Sequence, residues 1–201
     1  VSGWVGGRNG RLHDGLRAGI DLARYRYVAE GREPDTVLFV GNFQHLPNQE
    51  ALTFFWGRVW PLVRRERPQA RLIIVGAQAG PGFAEVYSAN NTTFLGHVED
   101  IREPLERYAL FVCPVLSGSG VRVKLLEAFA AGIPVVSTTI GAEGLAGPGL
   151  VELADSAEDF AKKILALLAD PPCARVMAER ARREVEQNWD IRAQTERLEA
   201  H

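Results

Sequence analysis

From Thr36 onward, short apolar runs alternate with stretches of helical apolar spacing. The runs are VLFVG (Val37–Gly41), RLIIVG (Arg71–Gly76), Thr92–Gly96, ALFVCP (Ala109–Pro114), IPVVST (Ile133–Thr138) and GLVEL (Gly149–Leu153). Each is short and almost continuously apolar, which predicts strands covered on both faces. Between them, Asn48–Arg65 carries Leu52, Phe55, Trp56, Val59 and Leu62 at helical spacing. Asp100–Arg107 predicts a short helix, with Asp100 and Glu103 spaced as a capping box. Val121–Ala131 predicts a helix stopped by Gly132 and Pro134. Asp155–Ala169, Pro171–Gln187 and Ile191–Glu199 complete the helices. Strands of this kind alternating with helices predict an α/β domain: a doubly wound, parallel, six-stranded Rossmann-like sheet with helices on both faces. Such sheets bind ligands beyond the carboxyl ends of their strands, where the strand order reverses. Function is therefore expected in the loops after Gly41, Gly76, Gly96, Cys113 and Thr138.

Residues 1–35 break this pattern. Val1–Gly15 is rich in Gly and Arg without a sustained period, and Gly31, Glu33 and Pro34 interrupt the chain. They read as a linker or the tail of a preceding domain, with the Rossmann-like domain over residues 36–201.

Composition narrows the picture a little. The 201 residues carry a formal net charge of −2, which argues against a wholesale nucleic-acid binder. Apolar runs are too short to span a bilayer. Two isolated cysteines, Cys113 and Cys173, fit a reducing cytoplasm better than a disulfide framework or metal cluster.

Candidate chemistry concentrates in Cys113–Leu145. The loop SGSGV (Ser117–Val121) lies between a strand and a helix start. Its small residues allow close backbone approach, and a helix N-terminus favours an anion such as a diphosphate. Strand-to-helix turns also need glycine for steric reasons alone. Lys124 near that N-terminus opposes the helix dipole, a conflict that a bound phosphate would relieve. Glu127 either pairs with Lys124 at i, i+3 or accepts from the hydroxyls of a ribose. Asn48 is equally a helix cap or a ligand contact, and His45 a solvated loop histidine with a lesser chance of touching phosphate. Glu143 either caps its own turn or approaches a donor sugar. Trp56, Trp60 and Trp189 read as packing residues, and Arg180, Arg182 and Arg183 as a solvated face with a lesser chance of meeting anionic lipid.

PVLSGSGVRVKLLEAFAAGIPVVSTTIGAEGL (Pro114–Leu145) resembles the C-terminal domain of GT-B glycosyltransferases of glycosyltransferase family 4, group 1. So do Val37–Leu52, Val59–Gly76 and Phe94–Pro114, in the family's order. The resemblance implies one half of a GT-B fold, binding the nucleotide of a UDP-, GDP- or ADP-sugar. It implies that Glu127 contacts the ribose and that Gly118, Ser119, Gly120 and Val121 present backbone to the diphosphate or sugar. Lys124 and Arg122 would supply positive charge. Gly96, His97 and Val98 would lie near the base, and Gly41 and Asn42 along the donor. No catalytic side chain, cofactor or metal is implied for this half. An N-terminal acceptor-binding domain of the same enzyme would be its partner, in the cytoplasm or at the inner face of the membrane. Transfer would retain the anomeric configuration, and the isolated half would transfer nothing.

The sequence departs from the family in one place. The first of two motif glutamates, seven residues apart, is absent, and Ser119 stands there. That leaves a non-catalytic nucleotide-binding or interaction module as the alternative. A nicotinamide-dependent oxidoreductase would need G-x-G-x-x-G after the first strand, where GNFQHLP stands instead. A sugar-nucleotide epimerase lacks several expected polar residues.

Overall fold

The computed structural model describes residues 19–192, except 78 and 81, and residue 195. The sheet has six parallel strands in the order β3-β2-β1-β4-β5-β6. They are β1 (Glu33–Val40), β2 (Arg71–Val75), β3 (Thr92–Gly96), β4 (Tyr108–Cys113), β5 (Val135–Ser137) and β6 (Glu152–Leu153). The helices are α1 (Leu46–Phe54), α2 (Trp60–Glu66), α3 (Phe83–Tyr87), α4 (Arg102–Arg107), α5 (Val123–Ala131), α6 (Ala157–Ala169) and α7 (Pro171–Asn188). From β1 the order runs outward through β2 and β3, then reverses through β4, β5 and β6. Right-handed crossovers in the two directions place helices on opposite faces. The reversal lies between β1 and β4, and in sheets of this kind the loops after the two strands border the ligand crevice.

The strands form because their side chains vanish into the core: Val37, Leu38 and Phe39 of β1 are at most 1% exposed. The helices follow from one buried stripe each. In α7 this is Ala174, Met177, Ala178, Ala181 and Val185, and Asp170 caps its N-terminus by accepting from the Cys173 amide. In α6 it is Phe160, Ala161, Ile164, Leu167 and Leu168, capped by Ser156.

Several boundaries differ from expectation. The helix expected over Asn48–Arg65 starts at Leu46 and is interrupted by a π-turn, Phe55–Val59. That wider turn lets Phe55, Val59 and Trp60 all reach the core, while Trp56 stays half-buried. Asn48 is not the helix cap; His45 occupies that position. The Asp100–Glu103 capping box does not form. Asp100 instead accepts from the Arg102 amide and side chain, and the helix begins at Arg102. Helix α5 starts at Val123 rather than Val121, and of Gly149–Leu153 only Glu152–Leu153 pairs as strand. The final helix expected over 191–199 falls mostly outside the described residues.

The boundary expected at residue 35 falls inside β1, which begins at Glu33. The segment 19–32 lies against the domain. Ile20 bridges to Asp190, and Arg32 donates to the carbonyls of Val28, Leu105, Tyr108 and Ala131. Arg182 is not a solvated-face residue: it pairs with Glu186 and donates to the carbonyls of Tyr25 and Ala130. Both cysteines are free, Cys113 buried and Cys173 exposed. Among the described residues no helix is long and apolar enough to cross a membrane.

Candidate nucleotide site

The crevice between β1 and β4 is closed at its base by Lys124. Its ammonium reaches across the reversal point and donates to the Val40 carbonyl (3.0 Å) and to Asn48 Oδ1 (2.9 Å). Asn48 in turn donates to the carbonyl of Asn42, 2.9 Å away, so one network joins the end of β1, the start of α1 and the first turn of α5. The Phe39 ring lies 5.8 Å beneath the ammonium. Burial holds the Lys124 ammonium below its ordinary value; Cys113 opposes this and Arg122 adds to it. This is a cation taken out of water, answered here only by neutral dipoles.

Close backbone packing fixes the β1 rim. A Cβ at Gly76 would stand 2.1 Å from the Gly41 carbonyl and 2.3 Å from the Phe43 ring. Glycine is required there because the ends of β1 and β2 touch.

The loop from β4 to α5 forms the opposite rim. Residues 116–120 are exposed, and Gly118 and Gly120 adopt φ of 100° and 90°, which only glycine enters without strain. Ser117 donates to Glu50 of α1 across the crevice (3.2 Å). Arg122 donates through Nη1 to the Ser119 carbonyl at 2.8 Å. Its Nε and Nη2 are buried without a partner. An unanswered guanidinium edge beside a glycine loop and a helix N-terminus is suited to an anion. The Gly120 amide already donates to a carboxylate, that of Glu143, at 2.7 Å. Glu143 thus braces the loop rather than capping its own turn.

Glu127 lies one turn further along α5. It does not pair with Lys124, since each has other partners. Its Oε1 accepts from the Tyr25 hydroxyl at 2.8 Å. Burial pushes the Glu127 carboxyl up, against the Tyr25 hydrogen bond and Arg24, which lower it. A carboxylate whose folded value is raised costs stability when ionised at neutral pH. The cost disappears as pH falls through the raised value toward the ordinary 4.5. Glu127→Gln should therefore stabilise the fold at pH 7 by up to about 1 kcal/mol at this partly buried site. The gain should shrink as the parent protonates. Urea denaturation across that pH range checks it, and an unchanged gain at acid pH would refute the assignment.

The structure thus gathers Gly41, Asn42, Gly118, Ser119, Gly120, Val121, Arg122 and Lys124 about one crevice, with Glu127 a turn deeper. Gly96, His97 and Val98 stand apart, at the end of the edge strand β3, with His97 exposed. The Gly96 carbonyl accepts from the Gly76 amide (2.8 Å), which ties that loop to the neighbouring strand end. Of the two readings of Asn48, helix cap or ligand contact, the cap does not form, and its side chain instead accepts from Lys124. Tyr25 is the residue that sequence reasoning left aside.

The chain belongs to the family of glycosyl transferases, group 1, whose profile matches residues 34–170. A curated relative from Corynebacterium glutamicum is 30% identical over 155 residues, 70% of this chain and 41% of its own. It is a GDP-mannose-dependent monoacylated alpha-(1-6)-phosphatidylinositol monomannoside mannosyltransferase. The chain spans about two fifths of the length of the curated relatives it matches. Two crystal structures share the fold. One is the C-terminal domain of a group 1 glycosyl transferase family protein, LpcC, from Francisella tularensis: TM-score 0.67, 18% identity, 86% of this chain and 100% of that one. The other is Anabaena HepE in complex with UDP and glucose: TM-score 0.67, 18% identity, 83% of this chain and 47% of that one.

Proposed function

We propose that this chain binds the nucleotide diphosphate of an activated sugar and works as the donor half of a glycosyltransferase. The observation that carries this reading is the cationic pair at the crevice: the desolvated Lys124 ammonium and the partnerless Nε and Nη2 of Arg122. Both stand at the N-terminus of α5, beside the glycine loop. A diphosphate would answer both charges and take amides of residues 118–121. Glu127 would accept from the ribose hydroxyls. The base would rest by the Gly96–Val98 loop. HepE, which shares this fold, was crystallised with UDP, and the Corynebacterium relative is named for a GDP-sugar; both support a nucleoside diphosphate.

Sugar transfer breaks the bond between the anomeric carbon and the diphosphate, and the departing diphosphate gains negative charge. Lys124, Arg122 and the loop amides would hold that charge in place, already oriented before bond breaking. An incoming phosphate oxygen would displace the Glu143 carboxylate from the Gly120 amide. The acceptor would be held by a second Rossmann-like domain, and transfer would proceed with retention. The test is calorimetric titration of the folded chain with UDP, GDP, ADP and their sugar conjugates. Saturable binding of at least one nucleoside diphosphate is expected. Heat of dilution alone from all of them would end the proposal.

A further inference from the structure

Glu127 is not left to orient itself. Beside it stands Tyr25, 102 positions away in sequence, with its hydroxyl 2.8 Å from Oε1. The backbone around Tyr25 is fixed at several points. Its amide donates to the Leu22 carbonyl (3.0 Å), and its carbonyl accepts from Arg182 (3.2 Å). The Arg24 carbonyl accepts from Arg102 of α4 (3.1 Å), and the Val28 amide donates to Ala131 at the end of α5 (3.1 Å). Its ring packs against the core, which a phenylalanine would do equally well. The hydroxyl is the part that packing does not explain. Arg102 and Asp100, at the start of α4, border the same hollow as Tyr25, a few residues beyond the Gly96–Val98 loop.

We infer that Tyr25 is a positioning residue for the donor: its hydroxyl fixes the rotation of the Glu127 carboxylate so that the remaining acceptor sites face a vicinal diol. The inference rests on the donor-site reading above. A carboxylate offers about four lone-pair sites. Tyr25 uses one, and two hydroxyls of a ribose need two more. The hydrogen bond also favours the ionised carboxylate in a partly desolvated position, where burial works against it. A free glutamate at this place would have to be ordered by the ligand at the ligand's expense.

The experiment compares ribose with its deoxy forms. Whichever of UDP, GDP or ADP binds the parent chain best is titrated beside its 2′,3′-dideoxy counterpart, into the parent and Tyr25→Phe. Melting curves confirm that the variant is folded. Tyr25→Phe should weaken the ribonucleotide by about threefold to tenfold, the worth of one hydrogen bond. The dideoxy compound should bind both proteins alike. In a Glu127→Ala background the same tyrosine change should have no effect on either compound. Equal loss for both compounds would make Tyr25 a purely structural residue and overturn the inference. So would unchanged ribonucleotide affinity. No binding of any nucleoside diphosphate to the parent would overturn the donor-site reading itself, and the role of Tyr25 with it.

Discussion

Lys124→Met should lower affinity for a nucleoside diphosphate by about tenfold to a hundredfold while leaving the fold close to its parent stability. The first half follows from charge. Hydrogen bonds to an ionised group are worth about 1.5–3 kcal/mol, and this ammonium stands where a diphosphate would lie. The second half follows from burial. The ammonium has given up water for the Val40 carbonyl and Asn48 Oδ1, two neutral acceptors. Removing it leaves those acceptors short of a donor but relieves a desolvated charge with no ionised partner, and the two terms oppose each other. We expect a net change within about 1 kcal/mol. The pH dependence separates the terms. Burial lowers the Lys124 value in the folded chain, so above that value and below the ordinary 10.5 the unfolded chain binds more protons. Parental stability should therefore rise with pH in that window, and the methionine variant should lack the rise. Calorimetry and urea denaturation measure both halves. Undiminished nucleotide affinity would remove Lys124 from the site.

Phe55→Ala should cost about 3–5 kcal/mol, a large part of the 5–15 kcal/mol typical of a domain. The ring is fully buried where β1, α2 and α6 come together. Its centroid lies 6.5 Å from Phe39, 6.4 Å from Trp60 and 5.8 Å edge-on to Phe160 of α6. An alanine would leave a void that three other rings cannot all move to fill. Phe39 also lies under Lys124, so the loss should reach the crevice. The midpoint of urea unfolding measures the cost, and a loss below about 1 kcal/mol would show that the site collapses around the smaller side chain.

The sheet was legible in the sequence because strands buried on both faces write themselves as apolar runs. VLFVG, RLIIVG and ALFVCP are β1, β2 and β4 to within a few residues. The apolar runs did not give the strand order; that β1 lies beside β4, which sets Lys124 against the end of β1, is visible only in the fold. What escaped is non-local. The Tyr25–Glu127 and Gly120–Glu143 contacts join residues 102 and 23 positions apart. No period or local spacing encodes such pairs. Arg182 looked like a surface arginine because its acceptors are carbonyls, and backbone leaves no mark on composition. The π-turn escaped because a single wider turn barely disturbs the apolar period that precedes and follows it.

The bridge between Ile20 and Asp190 has a consequence for how such a domain is carried. The Ile20 amide donates to Trp189, and the Ile191 amide donates back to Ile20, each at 3.0 Å. Two points 170 positions apart in sequence, Ile20 and Asp190, therefore lie side by side, as in a loop drawn closed by its own ends. A unit closed in this way can be excised and grafted into an unrelated host without parting its strands.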